Sequence, residues 1–178
     1  MIKNLFDTIE LKFNTSYEKW NHIIQMETKN SYFKNNKKFM IDCPDALEVV
    51  KQVNTLINKI PYKKDCDNYK CDDYWATPQE FFERNFGDCE DFAVAKYFAL
   101  KNLYFPTEDL RIVLVELMPT KIGHAVCAVN VGNTNYILDN LTHLVLPDFQ
   151  CTKYIPIKSM NEDYVFSHIQ KKKLVQPV

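Results

Sequence analysis

The chain has 178 residues, and one domain of this length buries most of the surface that its unfolded form exposes without needing disulfide bonds. Hydrophobic residues make up 46% and charged residues 25%, and the formal net charge of −1 produces no strong field toward nucleic acid or an anionic membrane. We therefore expect a single globular domain over residues 1–178, with no nucleic-acid partner and no membrane insertion.

The N-terminal stretch MIKNLFDTIELKF lacks the unbroken apolar core of a signal peptide, because Asp7, Glu10 and Lys12 interrupt it. As written, the chain is predicted to be soluble, and a cytoplasmic location stays open. Among the six cysteines, only Cys66 and Cys71 form a close pair, in the acidic stretch KKDCDNYKCDD. One C-x4-C pair lacks the second pair of a structural zinc site, so we predict a solvated loop there.

The first half of the chain is predicted to be helical. Apolar positions recur every three or four residues from about 16 to 28 and from about 45 to 60, and a polar loop follows to residue 74. Thr77-Pro78-Gln79-Glu80 predicts a further helix with a capping box. The stretch CEDFAVAKYFALKNL, after Asp88, is apolar around most of its circumference and predicts a largely buried helix.

The second half changes to a strand pattern. LRIVLVEL from Leu110, HAVCAVNV from His124 and NYILDNL from Asn135 are rich in β-branched residues and predict three strands. Helices followed by strands indicate an α+β fold, in which the central buried helix packs on an antiparallel sheet.

Cys89 is the candidate nucleophile. A thiol attacks as thiolate, and the start of a helix lowers its pKa because unpaired N–H groups favour negative charge there. Asp88 suits the N-cap, Cys89 would be the first helical residue, and Asp91 completes the cap. The alternative is a small buried residue that opens a core helix.

His124 and Asp139 are candidate partners of this thiol. They lie on the same face of a hairpin if its loop, over residues 131–132, has an even number of residues; an odd loop would separate them. A carboxylate beside a histidine on a sheet, facing a helix that begins with cysteine, supplies nucleophile, base and orienter. Taken singly, His124 could be a structural residue and Asp139 a partner of a lysine.

Three sequence motifs show a family resemblance: DYWATPQEFFERNFGDCEDFAVAKYFAL, GHAV with His124, and YILDN with Asp139. Over about residues 46–146, the chain resembles the bacterial transglutaminase-like cysteine peptidases, which include LapG-type periplasmic proteases. The resemblance implies a papain-like, transglutaminase-like fold. It also implies hydrolysis of a protein substrate through a thioester acyl-enzyme, with Cys89, His124 and Asp139 as the triad.

The backbone N–H of Cys89 is the expected oxyanion donor, and Trp75 and Gln79 are candidates for a second donor or for substrate positioning. For Trp75, packing is an equal alternative. Asp88, Glu90 and Asp91 should raise the pKa of the neighbouring thiol, a conflict that a bound cation would remove. The resemblance implies calcium at these acids, with no organic cofactor; the alternative assigns Asp88 and Asp91 to capping and leaves Glu90 solvated.

Two other functions stay open on the residues: acyl transfer to an amine by the same triad, and a catalytically silent binding module of the same fold. The resemblance further implies a surface adhesin as substrate, a regulatory membrane-protein receptor, and a periplasmic location. The segments outside residues 46–146 are candidates for selecting the substrate or a partner, although the basic run from Lys171 is typical of a solvated tail.

Overall fold

The computed structural model of the protein describes residues 1–14, 17–36 and 41–171. The helices are α1 (Glu18–Lys29), α2 (Tyr32–Asn35), α3 (Ala46–Ile57), α4 (Asp65–Asn68), α5 (Pro78–Arg84) and α6 (Cys89–Asn102). The strands are β1 (Ile9–Phe13), β2 (Leu110–Leu117), β3 (Ile122–Val131), β4 (Thr134–Leu138), β5 (Leu146–Pro147), β6 (Tyr154–Met160) and β7 (Val165–Ile169). Short 3-10 turns occupy Leu5–Asp7, Thr107–Asp109 and Asp148–Gln150.

The predicted helices of the first half are present. The capping box of α5 forms, because Glu80 N donates to Thr77 Oγ1 at 3.2 Å and Thr77 N donates to Glu80 Oε2 at 2.9 Å. Helix α3 ends at Ile57, three residues before the predicted end, and the predicted start of α1 at Ser16 lies outside the described residues. In the part of the chain that the structure describes, no helix is long and apolar enough to cross a bilayer.

The strands form one antiparallel sheet of seven strands in the order β1-β7-β6-β2-β3-β4-β5. Helix α6 packs on one face through the side of β3 that carries Ala125, Cys127 and Val129. The N-terminal residues Ile2 and Leu5 cover the opposite face of the central strands. Because both faces of β2 and β3 are covered, these strands have nearly continuous apolar runs. The predicted α+β class, with a buried central helix on an antiparallel sheet, is confirmed.

The hairpin between β3 and β4 determines which residues share a face beyond it. Its loop is Gly132-Asn133, and both residues have positive φ, 57° and 66°, as a two-residue type I′ turn requires. The loop therefore has the even length on which the pairing of His124 with Asp139 depends. Leu138 pairs with Cys127, so Asp139 lies diagonally across from His124 on one face.

His168 of β7 links three segments of the sheet. Its Nδ1 lies 2.7 Å from Thr8 Oγ1, just before β1, and its Nε2 lies 2.8 Å from Ser159 Oγ of β6. Burial lowers the pKa of His168 from 6.5 to about 4. The unfolded chain therefore binds the proton first as the pH falls, and the folded protein loses stability between pH 6.5 and 4.

We predict that His168→Gln is less stable than the wild type at pH 7, because hydrogen bonds to Thr8 and Ser159 are weakened. The difference in the free energy of unfolding between wild type and variant should become smaller as the pH falls toward about 4.5. Only the wild type has an imidazole at this position whose protonation destabilises the fold. Urea unfolding at several pH values measures this, with Ser167→Ala on the same strand as the non-titrating control. A stability difference that does not change with pH would contradict the lowered pKa of His168.

Candidate active site

Cys89 is the first residue of α6, as predicted, and is partly buried. Its Sγ donates to Glu90 Oε2 at 3.1 Å, and the backbone N–H of Ala125 lies against the thiol. Ala125 directly follows His124 in β3. The fold therefore brings the start of α6 to the strand segment that carries the predicted base.

His124 and Asp139 form a buried hydrogen-bonded pair, with His124 Nε2 at 2.8 Å from Asp139 Oδ1. Burial alone would raise the pKa of Asp139, but hydrogen bonds from His124, Leu141 and Tyr154 hold it below its usual value. An ionised carboxylate only accepts hydrogen bonds, so His124 Nε2 carries the proton in this pair. In the tautomer that this hydrogen bond selects, Nδ1 has the lone pair that a base requires.

Two further groups hold the Asp139 carboxylate. Leu141 N donates to Oδ1 at 3.0 Å, and the Tyr154 hydroxyl of β6 donates to Oδ2. Sequence reasoning missed Tyr154, because β6 was not predicted and nothing local links that strand to Asp139. With His124, these donors fix the carboxylate at both oxygens, which restricts the orientation of the imidazole.

Helix α3 fixes the turn that follows β4. Asn58 Nδ2 donates to the backbone oxygens of Asp139 at 2.7 Å and Thr142 at 2.9 Å, and Asn54 Nδ2 donates to Thr142 O at 3.1 Å. Two asparagines one helical turn apart at the end of an apolar helix were the signal available in the sequence. The position of Asp139 therefore depends on α3 as well as on the sheet.

The face that carries His124 and Asp139 differs from the expected one. Val126 and Ala128, which share the face of His124, pack against Ile2 and Leu5 and not against α6. The expectation that this pair faces the helix is therefore wrong. The sequence pattern does not decide the face, because both sides of β3 are apolar: Ala125, Cys127 and Val129 pack with α6, whereas Val126 and Ala128 pack with the N-terminal segment. The thiol instead reaches the end of β3 from the other face, beside the backbone of Ala125.

The three predicted metal-binding acids lie in a larger acidic cluster. Oxygens of Asp65, Asp88 and Asp91 lie within 4.8 Å of one another, as do those of Asp65, Asp73 and Glu90. Asp65 is only 2% exposed, although sequence analysis placed it in a solvated loop. The short helix α4 folds this residue inward, where its carboxylate accepts the backbone N–H of Tyr74.

The two cysteines of the stretch KKDCDNYKCDD agree with the prediction of a solvated loop. Cys66 and Cys71 are both exposed and free, with no disulfide between them. The solvated-loop prediction is therefore wrong at Asp65 and correct at the two cysteines.

Burial and mutual repulsion dominate the electrostatics of this cluster. Burial raises the pKa of Asp88 to about 9, with further increases from Glu90, and raises the pKa of Asp91 to about 8. Burial followed by the charge of Glu90 raises the pKa of the Cys89 thiol well above its usual value, and the Ala125 N–H lowers it only partly. Without a counter-charge, the predicted nucleophile is a protonated thiol.

The donor set fits a hard cation. Asp65 Oδ1 and Asp88 Oδ1 are buried, and neither has a hydrogen-bond partner among the described residues. Clustered carboxylate oxygens are the ligands that calcium prefers. Asp91 is different, because its oxygens accept the backbone N–H groups of Ala76 at 2.8 Å and Asp88 at 3.3 Å. For Asp91, the capping alternative therefore describes the contacts better than a metal ligand does.

The two side chains predicted for the oxyanion or the substrate have other contacts. Trp75 is 5% exposed and packs against the Tyr17 ring at 5.3 Å between centroids, which is the packing alternative. Gln79 is exposed on α5, where Nε2 donates to Glu83 Oε1 at 2.8 Å and Oε1 accepts from Asn30. The backbone N–H of Cys89 as oxyanion donor stays a prediction.

Comparison with known proteins identifies relatives of this arrangement. The profile of the family described as bacterial transglutaminase-like cysteine proteinase BTLCP matches residues 14–173, beyond the 46–146 on which the resemblance was noted. A structure of Legionella pneumophila LapG aligns with a TM-score of 0.65 and 25% identity, covering 83% of this chain and 86% of LapG. No curated protein sequence matches the chain.

Two further LapG structures from Legionella pneumophila also have a TM-score of 0.65. The calcium-bound one is 23% identical and covers 86% of this chain and 91% of LapG. The EGTA-treated one is 24% identical and covers 86% of this chain and 87% of LapG. At these identities, the two structures establish the shared fold.

We predict that Asn58→Ala lowers the free energy of unfolding by about 1–3 kcal/mol, because the carbonyl oxygen of Asp139 loses its Asn58 donor and that of Thr142 keeps only Asn54. Urea denaturation measures the change. Thr55→Ala, at an exposed position of the same helix, is the matched control and should remain close to the wild type. Equal stabilities of the two variants would contradict the anchoring role.

Proposed function

The chain belongs to the bacterial transglutaminase-like cysteine proteinase family and is a cysteine protease, and on this premise we propose that Cys89, His124 and Asp139 are its catalytic triad. The observation that carries the proposal is the buried His124–Asp139 pair at the end of the strand against which the Cys89 thiol lies. A nucleophile at a helix start, a histidine base and an ionised orienter are the three groups that acyl transfer requires.

The proposed reaction proceeds through a thioester. His124 takes the thiol proton, and Cys89 Sγ attacks the carbonyl carbon of the scissile peptide bond. The C–N bond then breaks as His124 donates that proton to the leaving amine. Water, deprotonated by His124, attacks the thioester and releases the carboxylic acid, and the thiolate recovers the proton. Asp139 keeps the proton of the resting imidazole on Nε2 and stabilises the imidazolium.

Calcium is the cofactor that we propose for this site. Asp65, Asp88 and Glu90 would hold it, with Asp73 at the rim of the cluster. When bound, the cation supplies positive charge that offsets the carboxylates now raising the pKa of Cys89. Two observations support calcium: the two unpartnered buried oxygens, and the existence of calcium-bound and EGTA-treated forms of LapG.

The family implies a protein substrate, since its members are proteinases. A surface adhesin as that substrate, a membrane-protein receptor as regulator and a periplasmic location are parts of the proposal that rest on the sequence resemblance. The single-domain organisation over residues 1–178 also stays a prediction. Release of new peptide amino ends, compared with incorporation of a labelled amine, separates hydrolysis from acyl transfer; incorporation alone would contradict the protease proposal.

We predict that iodoacetamide at pH 7 and in calcium modifies Cys89 faster than the exposed Cys66 and Cys71. His124→Ala should slow the modification of Cys89 by about tenfold or more, because the base is lost. Peptide mass spectrometry measures each site in the same sample, so the two loop cysteines serve as internal controls. Equal rates at all three cysteines would refute an activated thiolate and also favour a silent binding module.

We predict that calcium raises the melting temperature and that a selective chelator reverses the change. At a concentration 100 times the dissociation constant, the free energy of unfolding should rise by about 2.7 kcal/mol. Asp65→Asn should weaken the response, because a buried carboxylate of the cluster is lost. Asp163→Asn, at an exposed position in another loop, is the control. If neither the melting temperature nor the activity changes with calcium or with the chelator, the calcium proposal is wrong.

A further inference from the structure

The chain contains three glycines, and the fold explains two of them. A Cβ at Gly87 would lie 2.6 Å from the Phe81 ring and 2.8 Å from Asp91 Cβ, closer than packed carbon atoms approach. Gly132 has φ of +57° in the type I′ turn, where a side chain is strained. Steric contact requires the first glycine, and backbone conformation requires the second.

At Gly123, neither steric contact nor backbone conformation requires a glycine. No heavy atom lies within 4 Å of the position that its Cβ would occupy, and its φ is outside the positive range. It is the second residue of β3 and pairs with Glu116 of β2 in a regular register. A glycine in a strand loses more conformational entropy on folding than alanine would, and it has no side chain to pack. The fold therefore gains nothing visible from a glycine at position 123.

The position of Gly123 relates it to the active site. It directly precedes His124, and strand alternation places it on the same face as Ala125, whose N–H lies against the Cys89 thiol. Ala125 is only 3% exposed and belongs to the core cluster that includes residues of α6. Two residues earlier on this face, at Gly123, the space is open. The open position is therefore the next one on this face from the residue whose backbone lies against the nucleophile.

The same end of β3 has an unpaired edge. Strand β4 pairs with β3 only from Cys127 to Val131, since the chain leaves the sheet after Leu138. Over the ranges that the structure describes, residues 122–126 have no strand partner on that side. An unpaired strand edge presents backbone N–H and C=O groups that can bind another extended chain. Ile122 and Leu141 flank this edge and are 61% and 62% exposed.

We infer that the protein substrate binds as an extended segment whose main chain passes over Gly123, and that the missing side chain provides the room for it. The inference rests on the proposed function and adds to it how the substrate is bound. Gly123 is thus a specificity-determining residue: it admits a polypeptide to Cys89, whereas a small molecule would reach the thiol without it. A side chain at position 123 should obstruct the polypeptide and leave the fold intact.

The test compares two electrophiles of different size on the full chain in calcium. Iodoacetamide needs only access to the thiol, whereas iodoacetyl-Ala-Ala-Ala-Lys amide must also place a short peptide along the site. Gly123→Ala and Gly123→Val should lower the rate at Cys89 for the peptide reagent relative to iodoacetamide in that order, by at least about tenfold for valine. The melting temperature should not fall in either variant, because the Cβ meets no atom.

Gly132→Ala is the matched control. It should lower the melting temperature, because its φ of +57° is strained for alanine, and leave the ratio of the two rates unchanged. An unchanged ratio in Gly123→Val, or an equal loss with both reagents, would overturn the inference while the protease proposal stands. Wild-type Cys89 that reacts no faster with iodoacetamide than the exposed cysteines would overturn the proposed function, and this inference with it.

Discussion

Repulsion between the Cys89 thiolate and the carboxylates around it is the constraint on which the site depends. Burial and Glu90 raise the pKa of the thiol, and the thiol donates a hydrogen bond to Glu90 Oε2 at 3.1 Å. The start of an exposed helix stabilises a thiolate by about 1 kcal/mol or less. This is too small to offset the repulsion between the thiolate and several buried carboxylates. Unpartnered oxygens on Asp65 and Asp88 show where a counter-charge fits. In this proposal, Cys89 at the helix start becomes nucleophilic only when the neighbouring carboxylates bind a cation.

The other half of the site is rigid for a different reason. Asp139 accepts hydrogen bonds from His124, Leu141 and Tyr154, and Asn58 holds its backbone oxygen. These contacts join β3, β6, α3 and the turn after β4, so the orientation of the base does not depend on any single element. In the proposed mechanism, the rigid His124–Asp139 pair would position the base, and a bound cation would activate the thiol.

The sequence predicted those parts that local physics determines. Capping residues placed the starts of α5 and α6, and β-branched runs placed the central strands. The face of the sheet that carries the His124–Asp139 pair was predicted wrongly, because β3 is apolar on both sides and its pattern does not show which side α6 covers. Strand β1 was not predicted, although apolar and polar residues alternate in its sequence IELKF, which is typical of a strand. Asp65 and Tyr154 join the site only through tertiary contacts, which no spacing in the sequence reveals. The spacing of Asn54 and Asn58 is visible in the sequence, but it does not show which backbone groups they bind.

The most direct test of the central claim is the ultraviolet absorbance of the thiolate as a function of pH. A protein in which Cys89 is the only cysteine isolates the signal, since the other five are replaced by serine or alanine. The account predicts that the apparent pKa of Cys89 is lower in calcium than in chelator, and that Asp65→Asn reduces the difference. The same apparent pKa in calcium and in chelator would contradict it.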